Sequence, residues 1–153
     1  MPYIDPNRVN IAQSAKAYKV TWGGTLVVMS IVYIVAVANA LGYPVEVGFY
    51  IPLIIGGLFV VMGNYMGKIR RNYMFGIRTP WTLASEQSWN KTHRLGGKLF
   101  MALGLGMMAT VAWPWLTFYI LIGGIVIMLV ALFGYSYWVW KNDTEMKASE
   151  NSG

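Results

Sequence analysis

Apolar residues in this chain gather in four long blocks, about Val20 to Leu41, Val47 to Met66, Leu99 to Ala112 and Leu116 to Trp140, without the alternation of a strand. Inside a bilayer no water bonds the backbone, so a spanning block must satisfy its own amides and carbonyls and folds as a helix. The pattern predicts an all-α integral membrane protein with four transmembrane helices. The third block is short by itself and is read as continuing an interfacial helix that opens near Ser85. Only Trp113-Pro114-Trp115 separates the last two blocks, which predicts a tight helical hairpin with proline at the break. The resulting plan is an N-terminal segment over 1–19, a four-helix domain over 20–140 with a long ordered loop at 67–98, and a C-terminal tail over 141–153.

Charge sets the expected threading. Seven of the 12 Lys and Arg residues lie between Lys68 and Lys98, with Glu86 as the only acid among them. Arg8, Lys16 and Lys19 precede the first helix and Lys141 and Lys147 follow the fourth, whereas Tyr43 to Glu46 and Trp113 to Trp115 carry no basic residue. Lys and Arg are retained on the cytoplasmic side, so both termini and the basic loop are expected there. Tyr18, Trp22, Tyr65, Trp138 and Trp140 are placed at the inner interface and Tyr43, Tyr50, Trp113 and Trp115 at the outer one.

Composition agrees with the blocks, since 56% hydrophobic and 12% charged residues is too apolar for an ordinary soluble domain. The formal charge of +6 is concentrated beside the membrane, which makes anionic headgroups the electrostatic partner and gives no basis for direct nucleic-acid binding. Small residues offer packing surfaces between helices, at Gly56-Gly57, Gly63-x-x-x-Gly67, Ala102-x-x-x-Gly106 and Gly123-Gly124.

Chemistry has few candidate centres. The chain has no cysteine and one histidine, His93, so neither a metal site nor a cysteine nucleophile is indicated, and no cofactor is expected. No ionisable side chain lies near the middle of any span, which argues against a proton relay or ion pathway. Of the polar residues within the spans, Asn64 is nearest the basic loop and is expected to bond a neighbouring helix. Within the loop, Thr79-Pro80 fixes an extended step before Trp81, and Ser85 can cap a helix that opens with Glu86. In that helix Trp89 and His93 stand four apart and share a face, with Lys91, Arg94 and Lys98 free to reach headgroups.

The run Gly63-Asn64-Tyr65-Met66-Gly67-Lys68-Ile69-Arg70-Arg71-Asn72-Tyr73-Met74-Phe75-Gly76-Ile77-Arg78-Thr79-Pro80-Trp81-Thr82-Leu83, followed by Trp89, Arg94 and Lys98, resembles the signature of the SdpI family of bacterial integral membrane proteins. The resemblance implies a protein of the bacterial cytoplasmic (inner) membrane that protects its producer against a secreted peptide toxin. It further implies a toxin sensor that holds a cytoplasmic repressor at the membrane. With no intramembrane acid, metal set or credible nucleophile, the residues themselves predict no enzyme. Compared with the family's founding member, a short polar lead stands here where two further spanning segments are expected. The positions carried over are Gly63, Asn64, Asn72, Gly76 to Leu83, Trp89 and Arg94. From these a binding set is drawn: Asn64, Asn72, Arg78, Thr79, Pro80, Trp81, Trp89 and Arg94. Arg78 is its centre, because a guanidinium fork can pair with a phosphate, a peptide carboxylate or Glu86 and stack on the Trp81 indole. A second reading, in which the loop packs against a larger membrane complex as an accessory subunit, is the alternative at this stage.

Overall fold

The computed structural model describes residues 15–73 and 75–143. Among these the protein is entirely helical: α1 (Ala15–Ala40), α2 (Val47–Met66), α3 (Pro80–Ala84), α4 (Glu86–Ala109) and α5 (Leu116–Lys141), with a 3-10 turn at Thr110–Ala112. Helices α1, α2, α4 with its 3-10 turn, and α5 are each long and apolar enough to cross a membrane. They pack in the order α1, α2, α4, α5, and α2 against α4 is the most extensive contact. Large apolar side chains such as Leu26, Ile34, Ile127 and Val130 point outward, as a lipid-facing surface requires.

Helix α1 starts earlier than the sequence reading placed it, whereas α4 starts where Ser85 was read as its cap. Helix α1 already runs from Ala15, so Lys16 and Lys19 ride on its first turns while Ala17 is buried with Met66, Ile69 and Trp89. Lysine stems can extend along such a helix and keep their ammonium groups in the interface. Helix α4 begins at Glu86, which shortens the connecting loop to the stretch between Met66 and Ser85. Its first half does not lie flat on the bilayer. Ser88, Trp89, Thr92, His93, Gly96 and Gly97 are all buried in the bundle. The polar residues before Ala15 and after Asp143 lie outside the described residues.

Lipid gives apolar helices no reason to leave it, so association depends on close van der Waals approach. Helices α2 and α4 achieve it through two reciprocal glycine contacts. A Cβ on Gly63 would lie 2.6 Å from the Gly97 carbonyl oxygen, and a Cβ on Gly97 would lie 2.6 Å from that of Gly63. One heptad away, Gly56 and Gly104 meet in the same way at 2.6 and 2.5 Å. Gly124 opens a further seat, for Leu103, between α4 and α5. Gly56, Gly63 and Gly124 were among the expected packing residues, whereas Gly97 and Gly104 were not. Gly123 faces open space.

The far end of the bundle closes as a short hairpin. Leu116 N–H donates to the Trp113 carbonyl at 2.9 Å, and the Thr117 hydroxyl donates to Thr110 Oγ1 at 2.8 Å, which fastens the start of α5 to the end of α4. Exposed Tyr43, Trp113 and Trp115 mark this end, and exposed Trp22, Tyr73 and Trp138 mark the loop end. Amphipathic rings at two levels are the expected anchors of a membrane bundle.

Replacing Gly97 with alanine should force α2 and α4 apart and cost about 1–3 kcal/mol, measured by unfolding in mixed detergent micelles. Gly123→Ala, where a Cβ meets nothing within 4 Å, should leave the transition unchanged.

Candidate functional site

The signature loop is a non-helical backbone held against the bundle, and each of its turns has a chemical reason. After α2, Ile69 turns inward to 6% exposure beside Trp89, and its carbonyl accepts a 2.8 Å bond from the Trp89 indole N–H. Asn72, fully buried, closes the next turn: its amide nitrogen donates to the Arg70 carbonyl at 2.8 Å and its side-chain oxygen accepts from Phe75 N–H at 2.9 Å. Gly76 follows with φ of 109°, a conformation that L side chains rarely adopt. A Cβ there would sit 2.4 Å from His93 Nε2.

The close approach lets His93 reach the loop. Ile77 N–H donates to Nε2 at 2.9 Å, so that nitrogen is an acceptor and the imidazole carries its proton on Nδ1, which faces the Trp89 carbonyl at 2.9 Å. The ring also stacks on Trp89, with centroids 4.1 Å apart. Trp89 and His93 do share a face, as the spacing suggested. That face is turned into the protein and clamps the loop.

Beyond Ile77 a seam of hydroxyls joins the loop to α5. Thr79 caps α3: its Oγ1 accepts from Thr82 N–H at 3.2 Å, Thr79 N–H donates to Thr82 Oγ1 at 2.9 Å, and the Thr82 hydroxyl donates to the Ile77 carbonyl at 2.8 Å. Thr79 Oγ1 also lies 3.2 Å from Ser136 Oγ, and the Ser88 hydroxyl donates to the Ser136 carbonyl at 2.8 Å. Ser85 caps α4 by accepting from Ser88 N–H, and its hydroxyl donates to the buried carboxylate of Asp143 beyond the end of α5. Trp81 packs edge-on against Phe133 and Tyr137, with centroids 4.7 and 5.2 Å away.

The eight residues drawn from the sequence therefore separate. Asn72, Thr79 and Trp89 are buried and hold the loop, and Trp81 seats α3 on α5. Arg78, Pro80 and Arg94 are exposed. Arg78 donates to the Tyr73 carbonyl at 2.7 Å. The expected indole stack is replaced, because Trp81 is occupied by α5. Asn64 is exposed on α2, since the face toward α4 is taken by Gly56, Gly63 and Met66. Sequence reasoning missed Ser136 and Asp143. Neither stands out within an apolar helix and a polar tail, and both matter through contacts 57 and 58 residues away.

Two openings lie at this end. A cavity of about 480 Å³ sits under Gly76, Ile77, Arg78 and Thr79 and is walled by all four spanning helices. A more polar groove of about 570 Å³ is lined by Lys68, Arg70, Asn90 and Arg94. Among the described residues no group of three or more His, Cys, Asp or Glu side chains is arranged to hold a metal ion.

These features define a multi-pass membrane protein whose basic loop is built into the helical bundle. The chain belongs to the SdpI family. Residues 68–136 match the SdpI/YfhL protein family, a span that starts just after α2 and ends at Ser136 in the hydroxyl seam. The chain is 31% identical over 107 residues to the immunity protein SdpI of Bacillus subtilis (strain 168), covering 70% of this chain and 51% of that protein. It thus spans about half the length of that curated relative. No solved structure matches it.

Gly76→Ala combines an unfavourable φ with a clash at His93 and should destabilise the protein by about 1–3 kcal/mol. It should also speed tryptic cleavage at Arg70 and Arg71. Gly134→Ala, with open space around its Cβ, should do neither.

Proposed function

We propose that this is a non-catalytic immunity protein of the bacterial cytoplasmic membrane, which captures or senses a secreted, membrane-active peptide at the signature loop. The single observation that carries the reading is the division of the signature itself. Asn72, Thr79, Thr82 and Trp89 are buried to hold a shape, and Arg78 is exposed at the rim of an apolar cavity. A rigid loop presenting a guanidinium beside an apolar recess suits a ligand with both an anionic group and apolar side chains. The name of the Bacillus subtilis relative supports protection as the outcome of that capture.

Turnover has no evident machinery in this arrangement. His93 is fully buried with both ring nitrogens engaged by backbone groups, so it is not placed to move a proton on a substrate. Binding alone suffices for the proposed role.

The orientation follows the basic residues: loop and termini in the cytoplasm, the Tyr43 and Trp113 turns outside. The absence of cysteine makes this directly measurable with single introduced thiols. In intact cells an impermeant maleimide should label Glu46→Cys, and should label Lys91→Cys only after the membrane is opened. The reverse pattern would overturn the orientation.

The role itself is tested by survival of a sensitive bacterial host challenged with a membrane-active peptide toxin, at matched membrane levels of each variant. The native chain should protect and Arg78→Ala should lose most of that protection. Equal protection by both would move the capture site away from Arg78, and failure of the native chain would remove immunity to that peptide.

A further inference from the structure

The cavity beneath the loop has a shape and chemistry of its own. Thr21 of α1, Met62 of α2, Phe100 of α4 and Leu132 of α5 converge on it below Ile77. Its volume, about 480 Å³, is that of a small-molecule site, and among the described residues its polar wall residues are Thr21, Arg78 and Thr79. Water in such a chamber lacks the two to four polar partners that a buried molecule needs, at roughly that number each. Packed interiors do not leave this much space empty either.

What fills it is constrained by the two ends. On the α5 side, Leu129 and Phe133 are 60% and 56% exposed, so this wall is continuous with the lipid-facing surface. At the loop end stands Arg78, exposed, with one of its five donors given to the Tyr73 carbonyl. The chamber is therefore apolar where acyl chains run and cationic where headgroups begin. We propose that it is a binding site for an anionic phospholipid, with one acyl chain inside the chamber and the phosphate on Arg78. A guanidinium suits this better than a lysine because its planar fork takes a phosphate through two parallel hydrogen bonds. The seat differs from general attraction of acidic lipids to a basic loop, which would need no cavity. It shares Arg78 and the recess with the proposed peptide capture, so lipid and peptide would compete there, but lipid retention is read without any toxin and its failure is distinct from a failure of protection.

The test is native mass spectrometry of the full chain, released from detergent after incubation with equal amounts of phosphatidylglycerol and phosphatidylcholine of identical acyl chains. The native chain should retain one phosphatidylglycerol in preference to phosphatidylcholine by roughly tenfold, because both carry the phosphate but the choline ammonium offsets its charge and is repelled by the guanidinium. Arg78→Gln should abolish the preference while phosphatidylcholine is still retained. Thr21→Phe and Leu132→Phe, which fill the chamber from different helices, should lower retention of both lipids. Melting of each variant in detergent identifies any that fails to fold, and the other then carries the comparison. Equal retention of both lipids by the native chain would overturn the proposal, as would unchanged retention in folded filling variants. Displacement by inorganic phosphate alone, with the filling variants inert, would reduce the site to a phosphate contact and overturn the acyl seat.

Discussion

A non-helical backbone placed beside lipid must find a partner for every buried amide and carbonyl, and the loop side of this bundle is organised by that demand. Among the described residues the stretch from Gly67 to Thr79 is non-helical. Its groups are answered by Asn72, Thr82, Trp89 and His93, and the last two come from a helix that would otherwise simply span the membrane. Leaving such groups unbonded costs several kcal/mol each in an apolar medium, on the order of the whole stability margin of a small domain. Among the described residues Thr92 Oγ1 and Trp140 Nε1 are the buried side-chain atoms without a partner.

The same demand explains why the signature is rich in residues that are not themselves exposed. A family pattern at a membrane surface invites the reading that each residue meets a ligand, yet most of these meet one another. Under the proposed function, ligand contact at this end falls to the cations and to the recess beneath them. Thr79 joins the two tasks, since its hydroxyl caps α3 and approaches Ser136 while the residue also lines the cavity.

The four helices were legible because a bilayer imposes one pattern on any segment that crosses it, and the Trp113-Pro114-Trp115 break fixed the hairpin. Ser85 was legible as a cap for an equally local reason. The start of α4 as part of the bundle was not. Lys91, Arg94 and Lys98 read as an interfacial face, and nothing local says that the opposite face, with Trp89 and His93, would be clamped by a loop. Gly97 and Gly104 were hidden for a similar reason, because reciprocal fit depends on where α2 lies. Arg78 was read as a fork for a phosphate, a peptide carboxylate or Glu86 stacked on Trp81; it donates to the Tyr73 carbonyl, and the indole was not available because Trp81 packs on a helix more than fifty residues along the chain.

The two glycine contacts have a consequence for motion. On antiparallel helices, Gly56 with Gly104 and Gly63 with Gly97 repeat at the same seven-residue interval, so both fit in a single register. Sliding either helix by one turn would drive a carbonyl oxygen into a side chain at two levels at once. The α2–α4 pair is thus a keyed joint that does not shear. Helix α1, which has one buried residue and leans chiefly on α2, is held by no such key. Any opening of this bundle toward the bilayer is therefore a swing of α1 against a fixed frame.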